Sequence, residues 1–153
     1  MLFTLSNKEK ECFILIIYNI AMFDDYFSNS EKLIIRSLEK DIFKIDPVPK
    51  VLIGEIEELA TKLNRIGSME AVKYLFKIGC GMVRFCRGNK REFLEKLRQL
   101  YRFSKFREGI GWEEVCFHPT PFWEEFLNRL KGWQIKPKSP IPLPFLKGNG
   151  KNE

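Results

Sequence analysis

The chain reads as all-α, a single bundle of about six helices with an extended Pro-rich tail. Three observations predict it. Apolar residues recur at helical spacing almost throughout, cap-like Ser and Thr residues precede several of those runs, and no stretch keeps the period-two alternation of a strand. Phe13, Ile16, Ile17, Ile20 and Ala21 share one face of a first helix while Ile14 and Leu15 fill another, so this helix is expected at the centre. Ser28 or Ser30 caps a second helix with Leu33, Ile34, Ile35 and Leu38, and Glu31 completes a capping box with Ser28. Pro47 and Pro49 in "IDPVPK" stop it. A third helix is predicted over Val51–Ile66, ending at Gly67. Ser68 caps a fourth, from Met69 to about Arg87, whose Gly79 and Gly81 mark either a close helix approach or a kink. "RGNK" breaks the chain before a fifth helix over Lys90–Phe106, and "REGIG" ends it. Thr120 as N-cap, then Pro121, Phe122, Trp123, Phe126, Leu127 and Leu130, predict a short amphipathic sixth helix.

Size and composition agree with this. The 153 residues suffice for one domain with a substantial core, and 44% hydrophobic with 30% charged residues, including 14 Phe, is a globular composition. The helical domain is placed at residues 1–135 and the tail at 136–153, where "KPKSPIPLPFLKGNGKNE" carries four Pro and excludes helix or central strand. "PIPLP" favours polyproline II, either as a ligand for a partner of the tail or as a segment lying back along the domain through Ile141, Leu143, Phe145 and Leu146. The longest apolar run, Cys12 to Phe23, is interrupted by Asn19 and is shorter than the roughly 20 residues of a membrane span. With no leader pattern at Met1–Lys8, a cytoplasmic location is expected. Scarce Asn and Gln beside abundant Lys, Glu, Ile and Phe resemble thermophile composition. Cys12, Cys80, Cys86 and Cys116 lie apart in apolar patterns and read as reduced, buried thiols; the C-x-x-C pairing of a zinc site is missing.

Between the first two helices "FDDYFSNSEK" concentrates carboxylates. An EF-hand needs Gly at the sixth loop position and Glu at the twelfth, and counting from Asp24 finds Asn29 and Ile35. A looser convergence of Asp24, Asp25 and Glu31 on Mg²⁺ or Ca²⁺ stays open beside a plainer arrangement, in which Glu31 favours a helix N-terminus and the aspartates solvate a turn. "ILIIYNIAMFDDYFSNSEKLIIRSLEKDI", within residues 12–44, resembles the helix, acidic turn and helix of TerB-like (tellurite-resistance-associated) domains, about a fifth of the chain. There an apolar helix runs into Ala-Asp-Gly, then an apolar residue, then Glu-Lys. Asp24 falls on the Asp, Phe27 on the apolar residue, and Glu31 and Lys32 on Glu-Lys, while Asp25 replaces the Gly, which more easily adopts positive φ. The resemblance implies a helical bundle with an internal repeat, divalent-ion binding and stress-response membrane complexes. It also implies a second acidic turn, where this chain has the basic "CRGNKREF".

Charge is segregated. Residues 73–107 hold 11 Lys/Arg against 2 Asp/Glu, whereas residues 1–72 hold 9 against 12. At about 100° per residue, Arg91, Arg98, Arg102 and Lys105 fall within roughly 80° of arc, with only Glu95 among them. Phe93, Leu94, Leu97, Leu100 and Tyr101 take the other side; Arg84 and Arg87 precede the stripe and Arg107 follows. Cations without counter-charges favour an anionic partner, and the guanidinium fork suits phosphate. Phe103 and Phe106 flank the stripe, either as core or as stacking platforms. No nucleic-acid motif is present, so binding would read backbone charge and not sequence. The single His118 has no triad context, there is no Gly-rich phosphate loop, and the pairs Glu113–Glu114 and Glu124–Glu125 diverge on a helix. The expectation is a non-enzymatic adaptor subunit that docks a basic helix on RNA or DNA, or on an acidic protein, without a required cofactor. The alternative is a TerB-like protein-binding scaffold with a cation at the acidic turn.

Overall fold

A capping box opens the chain's first helix: Ser6 Oγ accepts the Glu9 N–H, and the Glu9 carboxylate accepts the Ser6 N–H at 2.8 Å. The computed structural model describes residues 4–117. Within them, α1 (Asn7–Ala21) ends in a 3₁₀ turn at Met22–Asp24, and α2 (Asn29–Ser37) starts at the predicted Ser28–Glu31 capping box. α3 (Ile56–Leu63), α4 (Met69–Gly81), α5 (Lys90–Arg102) and α6 (Trp112–Phe117) complete the order. The all-α prediction holds. The Thr120 helix, His118, the domain boundary at 135 and the Pro-rich tail lie outside the described residues.

α1 is the axis of the bundle. Phe13, Ile14, Ile16, Ile17, Ile20 and Ala21 are fully buried, with α2, α3 and α4 all packed against the helix. α5 closes the assembly over α3 and α4, and α6 lies on α4. Gly79 allows a close approach of helices: a β-carbon there would stand 3.2 Å from Leu97 of α5 and 3.4 Å from Ile20 of α1. This resolves the glycine alternatives for Gly79 in favour of packing, while the helix tightens to 3₁₀ at Met82–Phe85, beyond Gly81.

Several helix boundaries differ from those predicted. α2 runs into a π turn at Leu38–Ile42, closed by the Phe43 N–H on the Leu38 carbonyl, and Lys44 at φ 55° turns the chain out of it. α3 starts at Ile56 and not Val51, because the preceding residues are extended and tied to α1. Asn19 Nδ2 donates to the Val51 carbonyl at 3.0 Å, and its Oδ1 accepts the Ile53 N–H at 2.6 Å. Glu39, buried, accepts the Val48 N–H at 2.8 Å and the Lys50 ammonium at 2.6 Å. α5 stops at Arg102, four residues early, since Asn64 of the α3 C-terminus captures the Phe103 carbonyl and the Lys105 N–H. α6, at Trp112–Phe117, is a further helix in a stretch for which the sequence predicted none. Among the described residues, no helix is long and apolar enough to cross a membrane.

Candidate nucleic-acid interface

α5 is set into the bundle by one face and leaves the other in solvent. Asn89 Oδ1 accepts the Arg91 and Glu92 N–H groups at 2.9 and 3.2 Å, capping the helix start. Phe93, Leu97 and Leu100 are buried, Phe93 edge-on to Phe23 at 5.6 Å between centroids. Tyr101 anchors the C-terminal end: its ring meets Phe76 and Trp112, and its hydroxyl lies 2.7 Å from the Ile110 carbonyl and 2.9 Å from that of Arg107.

Opposite this seat, Arg91, Arg98 and Arg102 are exposed at i, i+7 and i+11, the spacing of a single helical stripe, with Glu95 beside them. None of the three has an ion pair among the described residues; the pairs Lys50–Glu39 and Lys73–Glu114 lie elsewhere. Arg98 reaches across to α6, its guanidinium 5.8 Å from the Trp112 ring centre. The remaining predicted cations are distributed differently. Arg87 lies on the Tyr26 ring at 4.2 Å, at the entry to α5. Lys105 and Arg107 belong to the turns after α5, so extending the helical stripe to Lys105 is corrected; its ammonium lies 5.3 Å from the Phe106 ring centre. The backbone of Arg84 is in the Met82–Phe85 turn. Phe103, 45% exposed, lines a shallow groove with Gln99 and Arg102, but the groove also includes Glu55 and Glu57, which would repel phosphate. Arg102 thus stands at the border of this acidic groove, and Arg91 and Arg98 are the part of the stripe away from it.

The acidic turn is built as a clip. Asp24 Oδ1 accepts the Tyr26 N–H at 3.2 Å, and its Oδ2 accepts the Arg87 N–H at 2.6 Å. Asp25 has φ 59°, so it adopts the left-handed conformation that glycine takes easily. Glu31 is fully buried: Oε1 accepts the Ser28 N–H and hydroxyl, and Oε2 has no partner. Burial pushes its pKa up to about 7 against the lowering effect of the Ser28 hydrogen bonds, and the nearby Asp24 charge adds to the rise. Among the described residues, no three His, Cys, Asp or Glu side chains group so as to hold a metal ion. The convergence expected of Asp24, Asp25 and Glu31 is thus not formed, because Asp24 is spent on backbone N–H groups and Glu31 is turned inward.

Asn19 and Glu39 escaped sequence reasoning as organising residues; a polar residue inside an apolar helical run, as at Asn19, is the signal that marks one of them. Comparison with protein-family models, with curated proteins and with solved structures returns no match, so the TerB-like likeness rests on the residues of the acidic turn alone.

Proposed function

We propose that this chain is a non-enzymatic helical binding module that lays the exposed face of α5 along the phosphate backbone of RNA or DNA, as a small subunit or adaptor of a larger assembly. The observation that carries the reading is the Arg91–Arg98–Arg102 stripe, without ion pairs among the described residues, on a helix whose other face is firmly packed. A packed helix fixes the backbone positions of the three arginines, so binding costs rotamer freedom of their side chains but no ordering of the backbone. Each neutralised phosphate releases condensed counterions, which makes binding salt-dependent and indifferent to sequence.

Fluorescence anisotropy of labelled single- and double-stranded RNA and DNA at two salt concentrations tests this. Arg91→Glu with Arg98→Glu is expected to weaken binding by about tenfold or more at 0.1 M salt, with a shallower salt slope and an almost unchanged melting temperature. Equal binding by the variant would remove the stripe from the interface. No binding even at low salt would make the stripe a docking face for an acidic protein.

A TerB-like protein-binding scaffold is the second reading. It draws support from the capped helix–turn–helix and from Asp25, which takes a positive φ where the resemblance has Gly. A divalent ion at Asp24, Asp25 and Glu31 draws none from the geometry.

A further inference from the structure

Leu52 and Phe103 are large apolar side chains that folding leaves in water, at 58% and 45% exposure. The groove of Phe103 continues into a smaller one lined by Leu52 and Gly54, because Glu55 and Ile56 form part of both. A β-carbon at Gly54 would meet nothing within 4 Å, so the surface is open there. The two lips of the Phe103 groove differ in charge. Exposed Glu55 and Glu57 stand at the start of α3 and exposed Arg102 at the end of α5, yet none of the three has an ion pair among the described residues. One continuous surface thus combines uncovered apolar groups with unpaired charges of both signs, the composition of an interaction surface.

We propose that this surface is the contact of a symmetric homodimer, in which Glu55 and Glu57 of each copy face Arg102 of the other across a two-fold axis that passes near Phe103. Charge complementarity selects the occupant. Nucleic acid is a poor one, since Glu55 and Glu57 repel phosphate, and a partner of one sign satisfies only one lip. A second copy satisfies both, because a two-fold rotation sets each acidic lip against the other copy's basic lip. Burial of Phe103 and Leu52 provides the apolar gain, and the cross-pairs fix the register. Such a contact closes at two copies. Arg98 and Arg91 lie toward the start of α5, roughly 6 and 16 Å along its axis from Arg102, so they stay outside the contact. The dimer is independent of the phosphate-binding reading, and it carries two copies of the Arg91–Arg98 face.

Sedimentation velocity of the full chain without nucleic acid, from about 1 to about 500 μM at 0.1 M salt, tests this. The expected result is a single concentration-dependent shift to a species of twice the chain mass. Phe103→Glu should weaken dimerisation by about tenfold or more. Arg102→Glu and Glu57→Arg should each weaken it as well, because each sets like charges across the axis. An equimolar mixture of these two variants, or the double variant carrying both changes, should dimerise again. All three positions are exposed, and thermal melts confirm that each variant is folded. Arg91→Glu with Arg98→Glu should dimerise as the wild type does, which separates this contact from the phosphate-binding face. A chain that stays monomeric throughout, a mass that grows beyond two copies, or swapped charges that fail to restore the dimer would overturn the proposal.

Discussion

Glu31 is a carboxyl group in a place that favours its neutral form. Its pKa in the unfolded chain lies near 4.5, and burial raises it to about 7 in the folded protein. Between those values the folded state binds more protons than the unfolded state, so this residue's contribution to stability is fully present below about pH 4.5 and is lost as pH rises through 7. The lost contribution amounts to about 3 kcal/mol. Glu31→Gln keeps an acceptor for Ser28 and cannot ionise, so denaturant melts at pH 5 and pH 8 should show the variant gaining on the wild type at the higher pH. A constant difference across that range would mean that Glu31 does not titrate as the burial requires. Asn19 is the second residue on which much depends. Asn19→Ala leaves the Val51 carbonyl and Ile53 N–H without their partner and is expected to cost about 1–3 kcal/mol, with amide exchange quickening first at Ile53. Both residues show where sequence reading stops. Glu31 was readable as the third position of a capping box, because that role is local. Its complete burial was not, because burial depends on which helices arrive over the turn.

At the scale of elements, the first five helices were legible and their ends were not, while α6 at Trp112–Phe117 went unpredicted. α1, α2, α4 and α5 declare themselves through apolar periodicity and caps, which need only neighbours in the chain. The ends of α3 and α5 are decided by Asn19 and Asn64, whose partners are 32 and 39 residues away in sequence. The basic stripe was legible as far as Arg102, while Lys105 was assigned to it by extending a helix that Asn64 terminates. The Gly79 contact belongs to this scale too. Gly79→Val places extra carbons against Leu97 and Ile20, so it should force α4 and α5 apart and cost about 1–3 kcal/mol, read as a lower melting temperature. A melting temperature equal to or above the wild type would show that Leu97 repacks freely.

For the molecule as a whole, the position of charge matters more than its total of +6. With 11 Lys/Arg against 2 Asp/Glu in residues 73–107, the region is self-repelling when no partner is bound. Salt should therefore act in opposite directions on the two measurable properties. From 0.01 to 0.15 M, where the screening length falls from about 30 to about 8 Å, the free protein's melting temperature is expected to rise while nucleic-acid affinity falls. The Arg91→Glu, Arg98→Glu variant should lose part of both responses, and an unchanged melting response in the variant would place the repulsion elsewhere.

The side-chain clips also bear on how the chain is made. Glu9 waits for the Gly67 N–H, Asn19 for the segment at Val51–Ile53, and Asp24 for the Arg87 N–H. During synthesis from the N-terminus, α1 emerges with its apolar faces uncovered and these three acceptors unfilled. The last of the three partners comes 63 residues after Asp24, and α5, which closes the bundle, comes later still. The N-terminal half is thus a set of sockets for chain not yet made, and a nascent segment ending before α5 has no finished domain to fold into.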